Sequence, residues 1–150
     1  MKLAILGENR GPRHRQVVGE IMRSMDLQRL VILNRQGLAR VACDMALRLG
    51  IPVVRFGHVR CTLIGGHRLT PEGRVQRGSR YFRGSLADSA RHAARFGQPD
   101  LVVCIAPRRA ATHRGGRRHH DEVVAVFKAC GIPCFIGRFD KGRKFTWSAA

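Results

Sequence analysis

Hydrophobic positions follow two patterns along the chain. Short unbroken apolar runs alternate with longer segments in which apolar residues recur every three or four positions. Residues 30–54 hold both. Leu30, Val31, Ile32 and Leu33 form a continuous run, the pattern of a strand buried on both faces. Asn34, Arg35, Gln36 and Gly37 read as a turn. Leu38, Val41, Ala42, Met45, Ala46 and Leu49 then form the inner stripe of an amphipathic helix, with Arg40, Asp44 and Arg48 outward. Gly50 is a helix stop, Pro52 cannot continue the helix, and residues 51–54 begin a second strand. Strand, helix and strand joined this closely predict a right-handed βαβ unit.

The same alternation extends outward. Residues 2–6 predict a first strand, ending at Gly7-Glu8-Asn9-Arg10-Gly11-Pro12. Val17, Val18, Ile21, Met22 and Met25 predict a helix over about 13–25. Residues 56–83 are a long, basic, glycine-rich insertion, expected to lie mostly as a loop over the ligand edge, with a hairpin turning at Gly65-Gly66. Leu86, Ala90, Ala93 and Ala94 mark a third helix ending near Gly97, and residues 101–105 a further strand. Residues 106–118 read as a second basic loop. Val123, Val124, Phe127 and Cys130 mark a fourth helix, with Asp121 and Glu122 in its first turn, favourable to the helix dipole. Gly131-Ile132-Pro133 repeats the Gly50-Ile51-Pro52 punctuation before a strand over 134–136, and a last extended piece covers 144–147, where Trp147 is expected to pack against the final strand. The sum is one domain, residues 1–150, of Rossmann-like doubly wound α/β class. About five parallel strands are flanked by helices, with a C-terminal extended segment.

Charge sharpens this picture. The chain carries 28 Lys+Arg against 10 Asp+Glu, a formal net charge of +18. Lysine occurs only at Lys2, Lys128, Lys141 and Lys144, so the excess is arginine. In a doubly wound sheet every strand-to-helix loop lies on one edge, where ligands of such folds bind. Those loops hold Arg10, Arg13, Arg15, Arg35, Arg60, Arg68, Arg74, Arg77, Arg80, Arg83, Arg108, Arg109, Arg114, Arg117 and Arg118; the opposite loops hold chiefly Arg23 and Arg29. A field of this sign concentrates phosphates, and helix N-termini add N–H donors on the same edge. Glycines at Gly7, Gly11, Gly37, Gly115 and Gly116 let backbone approach a phosphate.

These residues resemble the SLOG superfamily, the Rossmann-like group that includes the Smf/DprA DNA-processing proteins, the LOG phosphoribohydrolases and small YspA-like proteins, the last being nearest. Gly37-Leu38-Ala39-Arg40 matches the GLAR of the Smf/DprA motif S-G-L-A-R-G-I-D. The same stretch follows the YspA-like pattern G-x-x-G-A-D, helix, G-I-P-V, with Gly37 as second glycine and Gly50-Ile51-Pro52-Val53 as its end. Gly7-Glu8-Asn9-Arg10 stands where the family has a first-strand G-x-R loop, and Pro99-Asp100-Leu101-Val102-Val103 with Pro107 is similar to its P-D-x-V-x-x-x-P-G-G segment. Ala39 replaces the aspartate of G-A-D, residues 107–116 replace the P-G-G-x-G-T loop, and Glu122 is only the nearest candidate for the LOG glutamate. The resemblance spans about residues 1–136. It implies the fold and a nucleotide or phosphate pocket.

Three functions follow as expectations. The first is binding of a nucleotide-derived, phosphate-bearing ligand, with no established catalysis, by Gly7, Asn9, Arg10, Gly37, Arg40, Arg108, Arg109, Gly115 and Gly116. The second is sequence-independent binding of single-stranded nucleic acid, since the Smf/DprA relatives bind single-stranded DNA. Its footprint is Arg74, Arg77, Arg80, Arg83, Arg114, Arg117 and Arg118, with Tyr81 and Phe82 offering rings to bases. The third is cleavage of a nucleoside phosphate at its glycosidic bond, with Glu122 as the carboxylate.

Other constellations carry less. His58, Cys61 and His67 match no standard zinc spacing. His119-His120-Asp121-Glu122 at a helix start reads as dipole and surface chemistry before acid–base catalysis. Ser79, Ser85 and Ser89 lie in no nucleophile setting. The five cysteines are odd in number, with Cys104 and Cys134 in apolar strands, which fits small buried hydrophobes in a reduced compartment. The apolar run before Glu8 is too short for a signal peptide, and no run reaches membrane-spanning length. A cytoplasmic protein with no cofactor, no metal and no membrane partner is expected, with a homo-oligomer as an open possibility.

Overall fold

The structure, a computed structural model, describes all residues except 35, 60–61, 66, 73, 75–79, 84, 107–115 and 141–143; side chains are likewise undescribed at 58–59, 62–65, 67, 80–83 and 116–119. In chain order the elements are β1 (Lys2–Gly7), α1 (Pro12–Ser24), β2 (Arg29–Ile32), α2 (Gly37–Arg48), β3 (Val53–Arg55), β4 (His58–Val59), β5 (Thr62–Gly65), β6 (His67–Arg68), β7 (Arg80–Arg83), α3 (Leu86–His92), β8 (Leu101–Ile105), α4 (Gly116–Ala129), β9 (Cys134–Phe139) and β10 (Phe145–Ala149). A π-helical turn, Ala93–Gly97, continues α3.

The main sheet has the order β10-β9-β8-β1-β2-β3-β6. Its five inner strands are parallel, and β6 and β10 add antiparallel edges. The chain runs β1 to β3 in one direction, then returns to place β8 on the other side of β1. This is the Rossmann-like architecture predicted from the pattern, with its reversal of strand order between β1 and β8. Residues alternate between two cores. Leu3, Ile5, Leu30 and Ile32 pack with α1 and α2, whereas Ala4, Leu6, Val31 and Leu33 pack with α3 and α4.

The repeated Gly-Ile-Pro punctuation has one physical meaning at both places. Gly50 and Gly131 take φ of +70° and +75°, a region open to glycine without steric cost. The next N–H then turns back into the helix: Ile51 donates to the Ala46 carbonyl at 2.8 Å and Ile132 to the Phe127 carbonyl at 3.1 Å. The proline carbonyls that follow accept from the neighbouring strands, Pro52 from Leu30 N–H and Pro133 from Val102 N–H, both at 2.9 Å. The motif therefore ends a helix and sets the register of the next parallel strand.

Four expectations need correction. The α2 stripe is rotated: Ala39 and Cys43 are buried, while Leu49, at the helix end, is 56% exposed. Gly65-Gly66 does not join a two-strand hairpin. β5 pairs instead with β4 and β7 in a small antiparallel sheet, and β6 pairs with β3. The insertion is thus partly strand rather than a draped loop, and Val59, Thr62, Ile64, Tyr81 and Phe82 in its strands are of types that suit a pleated surface. Finally, α4 starts at Gly116, a turn earlier than expected, so Arg117 and Arg118 are helical and Asp121 and Glu122 lie beyond the first turn.

Candidate ligand site

A cleft of about 700 Å³ opens at the carboxyl ends of β1 and β2, beside the strand-order reversal. Two glycines build its floor. Gly7 ends β1 at φ +137°, and a Cβ there would stand 2.6 Å from the Ile105 carbonyl oxygen of β8. Gly37 opens α2 at φ +54°, and a Cβ there would run into the Gly7 carbonyl oxygen. The ends of β1 and β8 and the start of α2 are in backbone contact, which only residues without side chains permit. The first-strand and second-strand loops singled out in the sequence therefore meet.

Polar groups line this floor. α2 begins at the cleft without a side-chain cap from Gln36, and the positive end of its dipole lies there. Arg40, exposed in the first turns of α2, lines the cleft with Glu8, Asn9, Asn34 and His120. Asn9 Oδ1 accepts the Gly11 N–H at 3.3 Å and so shapes the turn into α1. The opposite wall is apolar: Leu6, Leu33, Leu86 and Val123. A capping box fixes the start of α3 and hence Leu86. Ser85 Oγ accepts from Asp88 N–H, and Asp88 accepts from Ser85 N–H at 2.7 Å, which holds the Asp88 carboxyl below its usual range.

Arg10 does not line the cleft; its guanidinium is turned to Glu8, at 2.8 Å. Among the described residues Glu8 is the one carboxylate in the lining, and it opposes an incoming anion. Glu8→Gln removes that charge and releases Arg10. Phosphate-ligand affinity is expected to rise roughly two- to fivefold, the scale of one exposed ion pair. Isothermal titration at low salt checks this, and weaker binding in the variant would contradict it.

Of the other expected ligand residues, Arg108, Arg109 and Gly115 lie outside the described residues, and Gly116 begins α4. On the nucleic-acid side, Arg77 and Arg114 also lie outside them. Arg74 is exposed, and Arg80, Tyr81, Phe82 and Arg83 form β7. Arg117 and Arg118 sit in the first turn of α4. The charge is less one-sided than expected, since exposed Arg48 and Arg95 join Arg23 at the opposite end of the sheet. Glu122 is exposed and outside the cleft lining. Asp100 of the Pro-Asp motif has a structural task there too: its carboxylate accepts Lys2 N–H at 2.7 Å and aligns the starts of β8 and β1.

The apolar wall was not foreseen from the sequence, and His120, read there as a surface residue, lines the cleft. His120 and Val123 share one face of α4 with Phe127, a spacing visible in the chain. Cys104 is no nucleophile: burial, with Asp121 adding to it, pushes its thiol up to about 12. Among the described residues no group of three His, Cys, Asp or Glu could hold a metal, and no helix is long and apolar enough to cross a membrane. His58, Cys61 and His67 lie outside the residues with described side chains. Comparison of the chain with protein-family models, curated proteins and solved structures gives no match.

Proposed function

We propose that this domain binds a small phosphate-bearing ligand of nucleotide type in the cleft at the ends of β1 and β2. The observation that carries the reading is the contact of Gly7 with Gly37, which sets the start of α2 and Arg40 around one floor. The phosphate end belongs at this floor, where N–H donors and a guanidinium converge. The apolar wall of Leu6, Leu33, Leu86 and Val123 suits a base or another flat, weakly polar body. The SLOG resemblance points the same way, through Gly37-Leu38-Ala39-Arg40 and Gly7-Glu8-Asn9-Arg10. The glycosidic-cleavage reading loses its support, because Glu122 is outside the cleft.

A thermal-shift panel of nucleoside mono-, di- and triphosphates, dinucleotides and ADP-ribose at millimolar concentration and low salt tests the proposal. A ligand at about one hundred times its Kd adds about 2.7 kcal/mol to stability, a shift of several degrees. Arg40→Glu is expected to weaken binding about tenfold or more, the scale of a charge-assisted hydrogen bond. No shift from any compound, or an equal shift in the variant, would contradict it.

A second reading, sequence-independent binding of single-stranded nucleic acid, is favoured by one observation: +18 exceeds what one nucleotide needs. It predicts affinity that falls steeply with salt.

A further inference from the structure

The strand β9 reads Cys134-Phe135-Ile136-Gly137-Arg138-Phe139. Alternation sends Cys134, Ile136 and Arg138 toward α4 and leaves Phe135, Gly137 and Phe139 on the other face. β10 pairs with it antiparallel, so that Phe145 lies opposite Phe139, Trp147 opposite Gly137 and Ala149 opposite Phe135. Four aromatic residues therefore share one face of a two-stranded edge. Gly137 is their floor: a Cβ there would stand 2.8 Å from Trp147 Cζ3 and would run into the Phe145 ring, so both rings lie on bare backbone. Three of the rings, Phe139, Phe145 and Trp147, form a continuous series with His14 of α1. Centroids are 4.9 Å apart for His14 and Phe139, 4.9 Å for Phe139 and Phe145, and 4.8 Å for Phe145 and Trp147.

The inner end of this series is core, for Phe145 packs against the cluster under α1. The outer end is not. Trp147 remains 43% exposed and Phe135 41% exposed. Packing accounts for Phe145 and leaves those two rings unexplained. The positive groups stand at the inner end of the series, where Arg15 is exposed next to His14 and exposed Lys144 leads into β10. The nearby carboxylate, Asp140, is engaged by the Lys144 N–H at 2.8 Å. A second copy of the chain is the wrong occupant, since two bodies of +18 repel. A polyanion that also presents flat rings is complementary in both respects.

We propose that the Phe135–Trp147 face of β9 and β10 is a stacking platform for the bases of single-stranded nucleic acid, whose phosphates run on toward Lys144 and Arg15 at the inner end. This rests on the nucleic-acid reading and moves its aromatic contacts from Tyr81 and Phe82 to the opposite edge of the fold. Base–aromatic stacking tolerates any sequence, as expected of a chain without a base-reading motif.

Trp147 is the single tryptophan, so its fluorescence reports on this face alone. The full chain is titrated at low salt with a fluorescein-labelled oligothymidylate, following anisotropy and, with unlabelled oligonucleotide, tryptophan emission. Saturable quenching that follows the anisotropy isotherm is expected, while inorganic polyphosphate binds without quenching. Trp147→Ala and Phe135→Ala are each expected to weaken the oligonucleotide roughly tenfold, Trp147→Phe to retain most affinity, and Leu49→Ala at the far edge to change nothing. Salt-sensitive binding that leaves Trp147 unquenched and the variants unaffected overturns the platform alone and keeps the nucleic-acid reading. No binding overturns both. Self-association that buries Trp147, seen by sedimentation, overturns the platform in favour of a second copy.

Discussion

Gly37→Ala is expected to lower stability by about 2–4 kcal/mol, the range for backbone strain combined with a steric conflict that cannot relax. Part of the loss is conformational, because an L side chain at φ +54° sits in the left-handed region. The rest is contact. The new Cβ meets the Gly7 carbonyl, and Gly7 is held in place by its pairing with Ile105 of β8. Gly50→Ala separates the two terms. Gly50 has φ +70° and nothing within 4 Å of a built Cβ, so only the conformational cost of about 1 kcal/mol applies. Urea denaturation of both variants gives the comparison, and Gly37→Ala is also expected to lose nucleotide binding. Equal stabilities for the two variants would show that the β1–α2 contact is not tight.

Phe127→Ala is expected to cost about 3–5 kcal/mol, the range for truncating a fully buried aromatic. Phe127 is wholly inaccessible and lies two helical turns beyond His120 on the same face of α4. Its ring seats α4 on the sheet and thereby holds His120 and Val123 at the cleft wall. The variant should melt earlier and bind nucleotide more weakly even below its transition. Thermal melts with and without ligand check both effects. Ligand affinity unchanged at a temperature where the variant is folded would show that the wall does not depend on this packing.

The parallel frame was legible because its signals are local. Apolar runs at residues 2–6, 30–33 and 101–105 and the two Gly-Ile-Pro stops each carry their own physics, and the structure repeats them nearly residue for residue. The meeting of Gly7 with Gly37 was legible only through topology, since both loops had to fall at neighbouring strand ends. The small sheet of β4, β5 and β7 was not, because its pairing is non-local. Thr62 finds Arg83 across an intervening stretch whose own strand, β6, joins the main sheet instead. The start of α4 was misplaced for another reason. Gly115-Gly116 and consecutive arginines read as a loop by propensity, yet the helix extends back to Gly116. The aromatic face escaped notice because Phe135, Gly137, Phe139, Phe145 and Trp147 come together only when β10 turns back antiparallel.

The central claim is that a phosphate-bearing nucleotide occupies the cleft at the ends of β1 and β2. Titrating the isotopically labelled protein with the nucleotide that gives the largest thermal shift, and following backbone amide resonances, tests it most directly. Saturable shifts are expected to concentrate at Gly7, Asn9 and the first turn of α2 from Gly37 to Arg40, with little change at Leu49 or Phe96. Shifts that spare Gly7 and Gly37 while resonances elsewhere saturate would contradict it.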